Sequence, residues 1–249
     1  MHIQGGNRFF FAFEEETGFL SEEESHHLIK VLRKKTGEKI KLINGKGKEY
    51  EGEILEIAKK GKSLKVKVKL LKLLREEKFP SKKIVALIPV LKGDKTEFLV
   101  EKGTELGISV FIPFQSDYSA VKYSSRLKER LKKKAINALK QSGRLYLPEI
   151  KPPVNLKEFL AQDTFPSSFK IIALPEEGVS LKNLLKGIFN SEEIVLISGP
   201  EGGFSEEEKK LLKEKSFLSF NLSPYILRAE TASLSLMSFI SILIRLEKR

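Results

Sequence analysis

Gly199-Pro200-Glu201-Gly202-Gly203-Phe204 is the stretch of this 249-residue chain whose residue types and spacing first point to chemistry. Three glycines and a proline so close together mean main chain that must approach another group closely. Such a turn can present its N–H groups to a ligand. It is no phosphate cradle, because the lysine of a Walker A loop and the G-x-G-x-x-G spacing are both missing. Further on, Arg228, Glu230 and Thr231 stand at the mouth of an apolar segment, residues 232–246. Each stretch also has a plainer reading. One is a tight strand-to-helix turn, and the other is a helix start where Glu230 favours the dipole.

The flanking residues say what positions these groups. Ile194-Val195-Leu196-Ile197 reads as a buried strand, and Ser205-Glu206-Glu207-Glu208 as a capping box opening a helix. Residues 216–222 read as another strand, stopped by Pro224. Two successive strand-end loops, each leading to a helix, suggest one pocket at the carboxyl edge of a parallel sheet. Strand patterns at residues 84–90, 110–114 and 169–174 alternate with helical ones at 92–106, 124–141 and 181–189. This is the rhythm of an α/β domain.

Residues 1–75 read differently. Strand patterns at 8–13, 39–43, 49–57 and 64–71, with turns at Asn44-Gly45 and Lys60-Gly61-Lys62, suggest a small β-barrel. A short helix capped by Ser21 carries His27, Leu28, Val31 and Leu32. Residues 74–81 are charged and contain Pro80, so the expected domains are 1–75 and 76–249.

Composition narrows the chemistry. The chain has no cysteine, which excludes disulfides and thiolate nucleophiles. Its three histidines, His2, His26 and His27, are far in sequence from both loops, so no metal is expected there. No apolar leader opens the chain, and residues 232–246 read as too short and serine-rich for a bilayer, giving a cytoplasmic expectation. The net charge is +12. Residues 122–144 hold nine lysines and arginines against one acid, Glu129, with a core stripe of Leu127, Leu131, Ala135, Ala138 and Leu139. That composition fits phosphate contact better than a membrane surface.

These pieces together resemble the RsmE-type ribosomal RNA methyltransferases of the SPOUT superfamily, which act on uridine N3 in small-subunit rRNA. The resemblance rests on Lys92-Gly93-Asp94-Lys95 with Glu97, Lys102 and Glu105-Leu106-Gly107, and on Gln141-Ser142-Gly143-Arg144 with Pro148-Glu149-Ile150. Gly199-Pro200-Glu201-Gly202-Gly203 and Leu227-Arg228-Ala229-Glu230-Thr231-Ala232 complete it. Ser223 departs from a frequent glycine. Tyr225 departs from a frequent arginine, removing one contact to RNA or substrate.

The resemblance implies a PUA-like β-barrel holding RNA, followed by a mostly parallel α/β domain with a C-terminal trefoil knot. It implies S-adenosyl-L-methionine held by Leu174 and Pro175, by Ser198, Gly199, Pro200, Gly202 and Gly203, and by Leu222, Ser223, Ile226 and Leu227. It also implies a homodimer, with residues 232–246 at the interface, and small-subunit rRNA or the assembled subunit as partner. Arg228 would steady an anionic uracil, the proton would pass to Glu201, Glu230 or water, and Thr231 would orient its loop. Arg8, Arg33, Lys92, Lys133 and Arg144 are the candidate RNA contacts. Methylation of a ribose 2′-hydroxyl or another base, and a non-catalytic ribosome-assembly module, stay open at this point.

Overall fold

Alternation builds the first part of the structure. In Ser63–Glu76, Leu64, Val66 and Val68 are buried while Lys65 and Lys69 are exposed, the two-residue period of a strand with one face on a core. The computed structural model describes residues 8–13, 15–61, 63–162, 164–176 and 178–247. His2 and Lys62 therefore lie outside the described residues. The chain forms two compact units, Met1–Phe79 with Ile136–Leu147, and Pro80–Ala135 with Pro148–Arg249.

The first unit holds β1 (Arg8–Phe10), β2 (Thr17–Phe19), α1 (Glu22–His26), β3 (Lys39–Ile43), β4 (Lys48–Lys60) and β5 (Ser63–Glu76). Among the described residues its five strands pair in the order β1-β3-β4-β5-β2, with only β1–β3 parallel. Ser21 caps α1, its hydroxyl accepting from the Glu24 N–H at 3.2 Å. Phe9, Leu28, Leu42, Ile54, Val66 and Val68 are fully buried between these elements. β5 runs past the stop expected near residue 71, because Leu73 and Arg75 still pair with Tyr50 and Glu49.

This unit also takes in Ile136–Leu147, which the sequence pattern assigns to the second module. Ile43, Leu139 and Leu145 form a small cluster there. Charges fasten it. Glu49 accepts from Arg8 Nε at 2.8 Å and from Arg75 Nε at 3.2 Å. Arg75 also bonds the Gly143 carbonyl and pairs with Glu77 at 3.4 Å. Glu77 accepts from the Leu145 N–H at 3.0 Å, and Lys140 reaches Glu24 at 2.5 Å. A buried pair of this kind adds little net stability, but breaking it costs about 3–5 kcal/mol.

The second unit begins with β6 (Lys83–Pro89), α2 (Lys95–Leu106), β7 (Val110–Gln115) and α3 (Leu127–Ser142), the last of which runs on into the segment counted with the first unit. Next come β8 (Glu149–Ile150), β9 (Val154–Asn155), α4 (Leu156–Ala161), β10 (Phe169–Ala173) and α5 (Leu181–Asn190). β11 (Glu193–Ser198), α6 (Glu206–Glu214), β12 (Leu218–Phe220) and α7 (Ala229–Glu247) complete it. Among the described residues every strand pairing of this unit is parallel, in the order β12-β10-β11-β6-β7-β8, with β9 also on β7. β6 and β11 are buried almost throughout, as strands covered on both faces must be.

Backbone exceptions explain the displaced ends. α2 starts after Gly93, whose φ of 75° no helix accepts, and stops at left-handed Gly107. Ser216 at φ 63° closes α6, so β12 is shorter than the expected strand at 216–222. α7 begins earlier than residue 232 and reaches 19 residues, long and apolar enough by composition to cross a membrane. This corrects the expectation that the segment is too short. Leu236, Met237, Ile240 and Ile244 are nevertheless buried, and α7 packs on α2 and the sheet. Gly103 permits that approach, since a Cβ there would lie 2.6 Å from the Phe111 ring and 3.1 Å from Met237 Sδ.

Candidate functional site

Strand order reverses where β11 inserts between β10 and β6, and the loops leaving β10, β11 and β12 meet at their carboxyl ends. They line a cavity of about 600 Å³, within the range of roughly 300–1,000 Å³ usual for small-molecule sites. Leu174, Pro175 and Glu176 come from the first loop, Gly199 to Phe204 from the second, and Asn221 to Arg228, without Pro224, from the third. The structure thus brings together the candidate cofactor residues of all three loops, with one exception. Ser198 does not border the cavity: it is 2% exposed, and its hydroxyl bonds that of Ser233 in α7.

Local sequence fixes the loops. The Gly203 N–H donates to the Pro200 carbonyl at 2.9 Å in a turn that needs its φ of 73°. Gly202 is required by the protein's own chain, since a Cβ would lie 2.7 Å from Tyr118 Cβ and 2.9 Å from the Tyr118 carbonyl oxygen. The capping box of α6 is complete: Ser205 Oγ accepts from the Glu208 N–H at 3.3 Å, and Glu208 Oε2 from the Ser205 N–H at 2.9 Å. Glu208 also accepts from the Asp117 N–H at 2.9 Å, and the Ser205 hydroxyl donates to Asp117 Oδ2 at 2.7 Å. That hydroxyl, with Lys157 behind it, holds the Asp117 carboxyl below its ordinary value.

The third loop is tied by a residue the sequence reading passes over. Asn221 Nδ2 donates to the Pro175 carbonyl at 2.9 Å, and Asn221 Oδ1 accepts from the Ser223 N–H at 2.9 Å. An asparagine just ahead of Ser223-Pro224 is the sequence signal for this tie, because its side chain can bond main chain two residues on. Glu176 pairs with Lys209 of α6 at 3.3 Å.

Three carboxylates (Glu176, Glu201 and Glu230) and three cations (Lys95, Lys209 and Arg228) border the cavity. Lys95, which the sequence pattern marks only through the resemblance, reaches Glu230 Oε1 at 3.1 Å. The Glu230 carboxyl is held below its ordinary value, first by its own backbone N–H and then by Lys95. Its Oε2 is buried without a hydrogen-bond partner among the described residues. Glu201 is exposed, and its Oε1 accepts from the Lys92 N–H at 3.4 Å. Among the described residues Arg228 has no ion-pair partner, and Thr231 is exposed without a hydrogen bond from its hydroxyl. Leucines, glycine main chain and balanced charges suit an adenine ring, a sulfonium and an amino-acid end. S-adenosylmethionine therefore fits these residues.

The candidate RNA contacts divide. Arg33, Lys92 and Lys133 are exposed. Arg8 is 6% exposed and locked on Glu49, which corrects its expected RNA contact. Arg144 is half-buried, and burial pulls its guanidinium down to about 10 against the opposing pull of Glu77.

Residues 77–241 match the family described as the RNA methyltransferase domain, and residues 20–67 match the RNA methyltransferase PUA domain. The ribosomal RNA small subunit methyltransferase E of Aquifex aeolicus is 34% identical over 92% of this chain and 97% of its own. That of Bacillus subtilis is 30% identical over 92% and 91%. A Legionella pneumophila methyltransferase solved with bound SAM superposes with a TM-score of 0.84 at 29% identity, over 94% of this chain and 96% of its own. The Neisseria gonorrhoeae ribosomal RNA small subunit methyltransferase E, solved with S-adenosyl methionine, gives 0.82 at 27% identity over 95% and 97%.

Proposed function

This chain belongs to the ribosomal RNA small subunit methyltransferase E family, and on that premise we propose that it methylates N3 of a uridine in 16S rRNA using S-adenosylmethionine. The observation that carries the reading is the cavity lined by three strand-end loops with Arg228 on its wall.

When bound, the cofactor supplies an electrophilic methyl group on a positively charged sulfur. The protein's task is to hold the uracil and manage one proton. N3 is on the pairing edge, so the base must leave its partner before it enters. Methylation there needs the anionic ring, and the Arg228 guanidinium offsets that charge. Its own backbone N–H first, and then Lys95, favour the ionised form of Glu230, which makes it a weak proton acceptor. Glu201 is exposed at the rim, so a proton it accepts has an exit to water. The reading gives Glu201 proton acceptance, and Glu230 the positioning of Lys95 and the start of α7.

The reading extends to a trefoil knot formed by the last segment. In its support, β12 lies beside β10 while α7 returns across β10, β11 and β6. It extends to a homodimer, supported by Ile226 at 95% and Tyr225 at 79% exposure beside the cavity and by Ile242 and Leu246 exposed on α7. It places the protein with its rRNA in the cytoplasm, with Arg33, Lys92 and Lys133 as RNA contacts. The test is mass spectrometry of small-subunit rRNA from cells lacking the activity, after incubation with the protein and labelled S-adenosylmethionine. The expected product is one 3-methyluridine; label on a ribose or on another base refutes the assignment.

A further inference from the structure

We propose that Tyr118 is a stacking platform for an RNA base beside the cofactor loop, an inference that rests on the RNA methyltransferase reading above. Tyr118 sits in the turn that leaves β7, and that turn is pinned on both sides. The Ser116 N–H donates to Ser119 Oγ at 2.9 Å, and the Ser119 N–H to the Ser116 carbonyl at 3.1 Å. Asp117 is held by Ser205 and Glu208, and also by Lys157 at 3.2 Å. Tyr118 Cβ and its carbonyl press on Gly202, which has no side chain to block them. These bonds tie the turn to the loop that borders the cavity.

The residue on that turn is more than half open. It is 55% exposed, and among the described residues it stacks on no aromatic ring and its hydroxyl has no hydrogen-bond partner. A pre-positioned ring loses little conformational freedom on binding. A π-face accepts any base, an extruded pyrimidine included. Charge favours a polynucleotide over a protein as occupant. Lys122, Arg126, Lys128 and Lys132 follow within the same unit, all exposed, together with Tyr123 at 42% exposure. These cations suit phosphates while the ring takes a base.

The test uses the full-length protein, Tyr118→Ala and Tyr118→Phe, titrated with a fluorescent single-stranded uridine-rich RNA. Tyr118→Ala keeps the Cβ that packs on Gly202, so affinity for S-adenosylmethionine, measured by calorimetry, is expected to stay within about twofold. RNA affinity is expected to fall roughly 5- to 150-fold, the cost of one missing base stack. Tyr118→Phe should recover most of it. Because stacking is uncharged, the slope of log affinity against log salt should not change in either variant. Equal RNA affinity in Tyr118→Ala and the wild type overturns the proposal, as does a parallel loss of cofactor binding, which would mark a merely structural residue. A shift in sedimentation with unchanged RNA affinity would make the ring a protein interface instead. If the wild type binds cofactor but methylates no rRNA, the parent reading fails, while the RNA affinity ratio still decides the role of Tyr118.

Discussion

Arg228 is the residue on which the proposed chemistry turns, because it brings a guanidinium to the cavity wall without an ion-pair partner among the described residues. Removing one pre-positioned stabiliser of developing charge usually costs about 10²- to 10³-fold in turnover. Arg228→Ala is expected to lose methyl transfer to rRNA by that order while calorimetry shows near-normal cofactor affinity. Full methylation by the variant would remove Arg228 from the mechanism. Arg228, Glu201 and the glycines were legible in the sequence because their types are out of place next to apolar segments. Arg8 was not legible as a buried group, since nothing local reveals that Glu49 pairs with it from a strand 41 residues away. Gly202 shows the same limit: its type announced a close approach, but the neighbour is Tyr118 of the protein itself.

The start of α6 and the face of α3 carry the predictions at the level of elements. Asp117 is held below its ordinary value of 3.8, chiefly by Ser205. A carboxylate depressed in the folded state contributes stability that is complete above its ordinary value and is lost as pH falls through the lower folded one. The melting temperature of wild type should therefore exceed that of Asp117→Asn at pH 7, with the gap closing below about pH 4. A gap constant with pH would refute the linkage. On α3, Lys128 and Lys132 are exposed one turn apart. Replacing both with alanine should reduce the salt slope of RNA binding by about 0.7 for each phosphate that the two lysines neutralise. An unchanged slope would make them solvated lysines only. Helices and long strands were legible because their periods persist over many residues. The short β8, β9 and α4 were not, since two to six residues set no period.

At the scale of the molecule, alternating strands and helices made the parallel sheet legible, whereas strand order depends on pairings that no local pattern encodes. The proposed dimer is checked on α7, where Ile242 and Leu246 are exposed one turn apart. Sedimentation of the wild type should give twice the chain mass, and Ile242→Asp with Leu246→Asp should give 28.2 kDa. A monomeric wild type would refute the dimer. The first unit was legible as strands but not as a complete fold, because Ile136–Leu147 joins it from the middle of the chain. That discontinuity has a temporal consequence. A nascent chain that has reached Phe79 still lacks the Gly143 acceptor of Arg75 and the Lys140 partner of Glu24. At about 5–20 residues per second, the missing piece follows on the order of 3 to 14 s later. During translation the amino-terminal third must wait, unfinished, for a segment made after the next two strands of its neighbour.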